Sequence, residues 1–164
     1  MHDLDDRTTD RIFQAIIPPG PALAAAEVTA ILQLGWLVAE IDFHEDGDEL
    51  AVWRSIARRL VTTSGGEPAF VEPVSPLPLD DEERSARVHE LSAKLSTRSA
   101  RELAYAIAYL VAVADVELGP IEQAFLDQLR RALGIEEDRA DYLAATAARI
   151  VTPSGDEPAP RAAS

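Results

Sequence analysis

The stretch that decides the fold occurs twice, first as Leu37-Val38-Ala39-Glu40-Ile41-Asp42 and again as Leu110-Val111-Ala112-Val113-Ala114-Asp115, at an offset of 73 residues. In each copy an apolar helical pattern ends at an aspartate and a short acidic connection follows. A glutamate, Glu49 or Glu122, then opens the next apolar pattern. The same offset pairs Ile56 with Leu129. The repeat predicts two similar helix–loop–helix corners, the first acidic corner (residues 42–49) and the second acidic corner (residues 115–122), related by an internal pseudo-twofold axis.

Outward from these corners, apolar residues recur at helical spacing, and no segment alternates as a strand does. The chain is therefore predicted to be all-α with about seven helices. Gly35 lies inside one of them, where it costs about 1 kcal/mol relative to alanine, so we expect another helix to cross closely there. The predicted helices cover residues 8–17, 23–41, 48–60, 80–95, 97–114, 120–133 and 137–150.

The length of 164 residues predicts one domain, because domains usually hold about 100–200 residues. We place it at 1–151, with halves at about 8–61 and 80–151 and a proline- and glycine-rich linker at 62–80. Residues 152–164 are predicted to be disordered. The pattern Ser-Gly-x-Glu-Pro-Ala begins at Ser64 and again at Ser154. It is read either as two similar helix-ending linkers or as a repeated short motif that a protein partner binds.

Charge and composition limit the classes of partner that the protein is expected to bind. The formal net charge is −14, whereas binding to nucleic acid requires a cationic surface. Arginines are scattered, with Arg54, Arg58 and Arg59 on one predicted helix and Arg130 and Arg131 on another. Cysteine is absent, which excludes disulfides and thiolate metal sites. No apolar run approaches the ~20 residues that span a bilayer. We therefore predict a cytoplasmic protein with no nucleic-acid partner and no membrane insertion.

The acidic corners carry the main functional hypothesis. Hard divalent cations prefer several oxygen ligands, so Ca²⁺ or another divalent cation is the expected cofactor. Two aspartates, Asp42 and Asp115, lie at the electronegative C-terminal ends of predicted helices, where an acid is unfavourable. The corners supply either one shared carboxylate site or two adjacent sites. The predicted metal ligands are Asp42, Asp46, Glu49, Asp115, Glu117 and Glu122.

Capping is the alternative explanation for part of this set. Asp46 stands three residues before Glu49, as in a capping box, and Glu122 stands three after Gly119. In that case the protein is an interaction module whose acids only cap helices. The first corner is no EF-hand, because Trp53 occupies the position of the bidentate glutamate. No phosphate-binding glycine loop or nucleophile motif occurs, so no enzymatic activity is predicted.

The second corner resembles the core of the TerB family, the tellurite-resistance-associated helical domain. The first corner, Leu37 to Leu60, is similar to the same pattern. The residues that carry the resemblance are Ala108 to Asp115, Glu117, Pro120, Glu122, Phe125, Leu126 and Leu129.

The TerB resemblance implies an all-helical fold of seven helices with internal pseudo-symmetry. It also implies acidic residues suspected of binding a divalent metal, a role in tellurite or general stress response, and use as a module beside other domains, including co-chaperone J-domains. Phe43 and Val116 stand where that family usually has glycine after the aspartate. Glycine adopts a left-handed turn at little cost and bulky residues do not, so we expect the loops to differ from the family pattern.

Overall fold

Five helices with defined bounds form the fold of the computed structural model. They are α1 (Ala25–Ile41), α2 (Asp81–Ala93), α3 (Arg98–Ala112), α4 (Pro120–Leu133) and α5 (Glu137–Val151). The structure describes residues 7, 11, 14, 23–41, 53, 54, 56–58, 60, 80–113 and 118–151. Within these residues there is no strand, so the all-α prediction is confirmed for them.

Local sequence signals place the helix ends. Asp80 caps α2 in a full capping box, in which its carboxylate accepts from the Glu83 amide at 2.8 Å and the Glu83 carboxylate accepts from the Asp80 amide at 3.1 Å. Thr97 caps α3 by accepting from the Ala100 amide at 3.1 Å. Gly134 ends α4 in the left-handed region, with φ 68°, where a residue without a Cβ avoids a steric penalty. These three predicted termini are confirmed.

Helix α3 is the centre of the molecule. It packs against α1, α4 and α5, while α2 packs against α1 and α4. Every residue from Glu102 to Ala108 is buried, so α3 is enclosed on nearly all sides rather than along one stripe. Leu103, Ile107 and Val111, which recur at helical spacing in the sequence, are fully buried there. None of the described helices is long and apolar enough to cross a bilayer.

Gly35 lies where α1 comes close to both α3 and Trp53. A Cβ at this position would lie 3.1 Å from Trp53 Cδ1 and 3.3 Å from Ile107 Cγ2. Trp53 in turn donates from Nε1 to the Leu32 carbonyl oxygen at 2.9 Å and packs edge-on against Trp36, with ring centroids 5.0 Å apart. The close crossing expected from Gly35 is confirmed, because glycine leaves the space that the indole and Ile107 occupy.

The described part of the predicted helix 48–60 is helical, and Ile56, Ala57 and Leu60 are buried in it as expected. Arg7, Arg11 and Gln14 are also helical. The rest of the predicted helices 8–17 and 48–60 lies outside the described residues. So do the linker before Asp80 and the tail 152–164.

Candidate acidic corner and arginine cluster

Of the six predicted metal ligands, Glu122 lies within the described residues. Helix α1 ends at Ile41, directly before Asp42, and the C-cap of α3 is Val113, two residues before Asp115. The five other predicted ligands lie outside the described residues: Asp42, Asp46, Glu49, Asp115 and Glu117. Among the residues that the structure does describe, no three His, Asp or Glu side chains are grouped so that they could hold a metal ion.

The first turn of α4 has inverted polarity. Glu122 is 6% exposed, whereas Ile121 is 61% exposed. Successive helical residues are about 100° apart, so Glu122 lies on the same stripe as Phe125 and Leu129, while Ile121 lies about a quarter turn away. The apolar pattern Ile121, Phe125, Leu129 predicts that Ile121 faces the core, and its exposure shows that this prediction is wrong. The stripe continues through Glu122 instead, and a carboxylate takes the inward position at which an apolar side chain is expected.

Glu122 and Glu83 hold the same helical position with different surroundings. Both are the third residue of their helix, three after the N-cap. Glu83 is exposed and bonded to the Asp80 amide. Glu122 is buried, and no described residue donates a hydrogen bond to it. Reciprocal capping therefore explains Glu83 but not the burial of Glu122.

The Glu122 carboxylate folds back over Gly119, the N-cap of α4. A Cβ at Gly119 would lie 3.3 Å from Glu122 Cδ and would overlap the nearer carboxylate oxygen. The backbone of Gly119 is extended, with φ −74°, so glycine is not needed for conformation, and a larger residue would require the Glu122 carboxylate to move. The arrangement places a carboxylate of low exposure on the first turn of α4, five residues after Glu117 and seven after Asp115 in the sequence. Carboxylate oxygens in such a position suit a hard cation.

A second buried acid was not anticipated from the sequence. Glu102 of α3 is 4% exposed and accepts three hydrogen bonds from two arginines. Arg139 Nε and Nη2 bind the two carboxylate oxygens at 2.9 and 2.8 Å, and Arg98 Nε binds Oε1 at 2.8 Å. The two bonds from Arg139, joined by the single bond from Arg98, outweigh burial and lower the pKa of Glu102 from its usual value of 4.5. Glu102 thus ties α3 to α5.

One of the two arginine contacts of Glu102 is indicated by the sequence. Arg98 and Glu102 are four residues apart, a spacing that brings side chains together on a helix. Arg139 is 37 residues from Glu102, and no local pattern indicates that α5 would bring it there. The fold therefore brings together Arg98 and Arg139, which lie 41 residues apart in the sequence.

Comparison of the chain with protein-family models, with curated proteins and with solved structures gives no match. The resemblance to the TerB family stays a prediction.

Proposed function

We propose that this protein is a non-enzymatic, divalent-cation-binding helical domain that uses its acidic corners. The observation that carries the proposal is Glu122. Glu122 is only 6% exposed and no described residue donates a hydrogen bond to its carboxylate, so an ionised side chain there keeps only part of its hydration and has no described partner that compensates for the loss. A bound cation would supply that compensation. The cation would stabilise the folded protein by mass action, since it would bind the folded chain and not the unfolded one.

A TerB-like fold with two related units is the structural part of the proposal. In support, α1 begins at Ala25 and α3 at Arg98, an offset of 73 residues. Several pairs of apolar residues at this offset are buried in both halves. The pairs are Leu34 with Ile107, Leu37 with Leu110, Val38 with Val111, Ile56 with Leu129 and Leu60 with Leu133, all buried.

In this proposal the second corner binds the cation through Glu122, Asp115 and Glu117. The first corner contributes Asp42, Asp46 and Glu49 either to the same ion or to a second one. Glu122 has a fixed position on α4, so it is the ligand that would organise the others. An association with tellurite or general stress response rests on the TerB resemblance alone.

Thermal unfolding in the presence of Ca²⁺, Mg²⁺ or Mn²⁺ tests the proposal. We expect at least one of these ions to raise the Tm of the wild-type protein relative to the same buffer with chelator. A ligand at 100 times its Kd adds about 2.7 kcal/mol of stability. Glu122→Gln, and separately the pair Asp42→Asn with Asp115→Asn, should abolish that rise.

Glu83→Gln is the matched control, because Glu83 occupies the same helical position but is exposed and already bonded to the Asp80 amide. Its cation response should equal that of the wild type. Absence of any thermal shift and of any calorimetric heat with the three ions would contradict the proposal. An equal loss of response in Glu83→Gln would also contradict it.

A protein-interaction module is the second candidate. It is favoured by the Asp80–Glu83 capping box, which provides an acid of this chain whose role is capping. Two large apolar side chains are also exposed on α4 and α5, Ile121 at 61% and Tyr142 at 56%. A partner whose binding is lost in Ile121→Ser or Tyr142→Ser, but is unchanged in Glu122→Gln and by chelator, would favour this candidate over the cation-binding one.

A further inference from the structure

The end of α4 opposite the acidic corner borders a charged pocket. It lies between the start of α3, the end of α4 and the start of α5, and it has a volume of about 360 Å³. This volume is at the lower end of the ~300–1,000 Å³ typical of small-ligand sites. The pocket is lined by Arg98, Arg101, Glu102, Leu133, Gly134, Ile135, Glu136 and Arg139.

Each of the three arginines in this pocket is anchored through its Nε atom. Arg98 and Arg139 donate from Nε to Glu102, and Arg101 donates from Nε to the Leu95 carbonyl oxygen at 2.9 Å. No described residue accepts a hydrogen bond from the terminal amino groups of Arg98 and Arg101, or from Nη1 of Arg139. Anchored guanidinium groups lose little further freedom when they bind a ligand, and their planar donor forks match carboxylate and phosphate oxygens.

The charge balance of the pocket is opposite to that of the chain. Three arginines outnumber the two carboxylates of Glu102 and Glu136, although the whole chain carries −14. The pocket also borders the first turn of α5, where the first hydrogen bond runs from the Ala140 amide to the Glu136 carbonyl oxygen. Amides at the start of a helix lack intrahelical partners and favour an anion. The acidic side chains of Glu137 and Asp138 on this turn are exposed and do not line the pocket.

We propose that this arginine pocket binds the phosphate or carboxylate group of a small anionic ligand. Arg98 and Arg101 supply terminal amino groups to the oxyanion, and Glu102 is a positioning residue that orients Arg98 and Arg139. Leu133 and Ile135 provide an apolar wall for the rest of the ligand. The pocket is separate from the proposed cation site, because Glu122 and Leu133 lie at opposite ends of α4, roughly 16 Å apart along the helix axis.

Titration with inorganic phosphate and with acetate, each against sodium chloride of equal ionic strength, tests this inference. Amide NMR spectra of the full chain are the readout. We expect saturable shifts of the Gly134, Ile135 and Arg139 amides, and none at Glu122. A response to phosphate identifies a tetrahedral oxyanion as the ligand group, and a response to acetate identifies a carboxylate.

The variant for this test is Arg98→Gln. Arg98 is 79% exposed, and Glu102 keeps both bonds from Arg139 when Arg98 is replaced, so the fold should persist. Affinity should fall about tenfold, as expected for the loss of a charge-assisted hydrogen bond. Arg131→Gln is the matched control, because Arg131 is 71% exposed, is also paired with an acid, Asp127, and lies outside the pocket.

The inference is supported if either anion shifts the pocket amides and Arg98→Gln weakens that response while Arg131→Gln does not. It is overturned if neither anion has an effect beyond that of chloride. It is also overturned if both variants lose the response equally, because a general charge effect rather than the pocket would then be responsible.

Discussion

Replacement of Glu102 by glutamine should destabilise the protein in a way that depends on pH. Glutamine keeps the size of the side chain but removes the charge that Arg139 and Arg98 neutralise. The Arg98 contact is four residues away on the same helix and its guanidinium is 79% exposed, so it contributes only ~0.3–0.5 kcal/mol. Arg139 contributes the larger part through two short bonds to a carboxylate that is 6% exposed.

The expected magnitude for Glu102→Gln is about 2 kcal/mol at pH 7. Hydrogen bonds to charged groups are worth roughly 1.5–3 kcal/mol each. Arg139 is itself 38% exposed, so solvent screening lowers the combined contribution of its two bonds below the roughly 3 kcal/mol that is the minimum for two such bonds. For a chain of this size, 2 kcal/mol corresponds to a decrease in Tm of about 4–8 °C.

The sign of the pH dependence follows from the lowered pKa of Glu102. Its folded-state pKa lies below the usual 4.5. The stabilisation is therefore complete above pH 4.5 and is lost as the pH falls through the folded-state pKa. Wild type and Glu102→Gln should then converge in stability as the pH is lowered, because protonated glutamate and glutamine are both neutral.

Urea unfolding at pH 7, 5, 4 and 3 measures this difference. The Trp36–Trp53 pair provides the fluorescence signal, since both tryptophans of the chain lie in one packed cluster. Arg98→Ala is the comparison variant and should cost no more than about 0.5 kcal/mol. A Glu102→Gln deficit below about 0.5 kcal/mol at pH 7, or one that stays constant from pH 7 to pH 3, would refute the role assigned to Glu102.

Three further substitutions test the packing. Gly35→Ala should destabilise by about 1 kcal/mol, because overpacking against Trp53 and Ile107 outweighs the gain in helix propensity; a more stable variant would show that the crossing has spare room. Ser92→Ala should stabilise by about 1 kcal/mol, since among described residues Ser92 Oγ is buried without a hydrogen-bond partner. Ser85→Ala on the same helix should destabilise, because Ser85 Oγ accepts from Gln128 Nε2 at 2.7 Å. Chemical denaturation measures all three, and a destabilised Ser92→Ala would contradict the account.

The helices and several of their ends were predictable because their causes are local. Asp80, Thr97, Gly119 with Pro120, and Gly134 each satisfy or end a helix through neighbouring residues. Gly35 also indicated the close crossing, because glycine destabilises a helix interior and a closely packed neighbour explains why it is present.

The charged sites were harder to predict because they depend on tertiary packing. Arg139 reaches Glu102 from another helix, and nothing near either residue indicates this contact. Ile121 lies on the surface and Glu122 in the interior because of the way the start of α4 packs against the other helices. Hydrophobicity alone predicts the reverse.

The central claim is that Glu122 is a buried carboxylate retained for a cation, and Glu122→Leu tests it most directly. Leucine suits the apolar stripe of α4, and a largely buried carboxylate without a described hydrogen-bond donor contributes no stability that leucine would lose. With chelator present, we expect Glu122→Leu to be more stable than the wild type in urea unfolding. With Ca²⁺ or Mn²⁺ present, the wild type should gain stability and the variant should not. A variant that is less stable than the wild type with chelator, together with a wild type that does not respond to any divalent cation, would contradict the account.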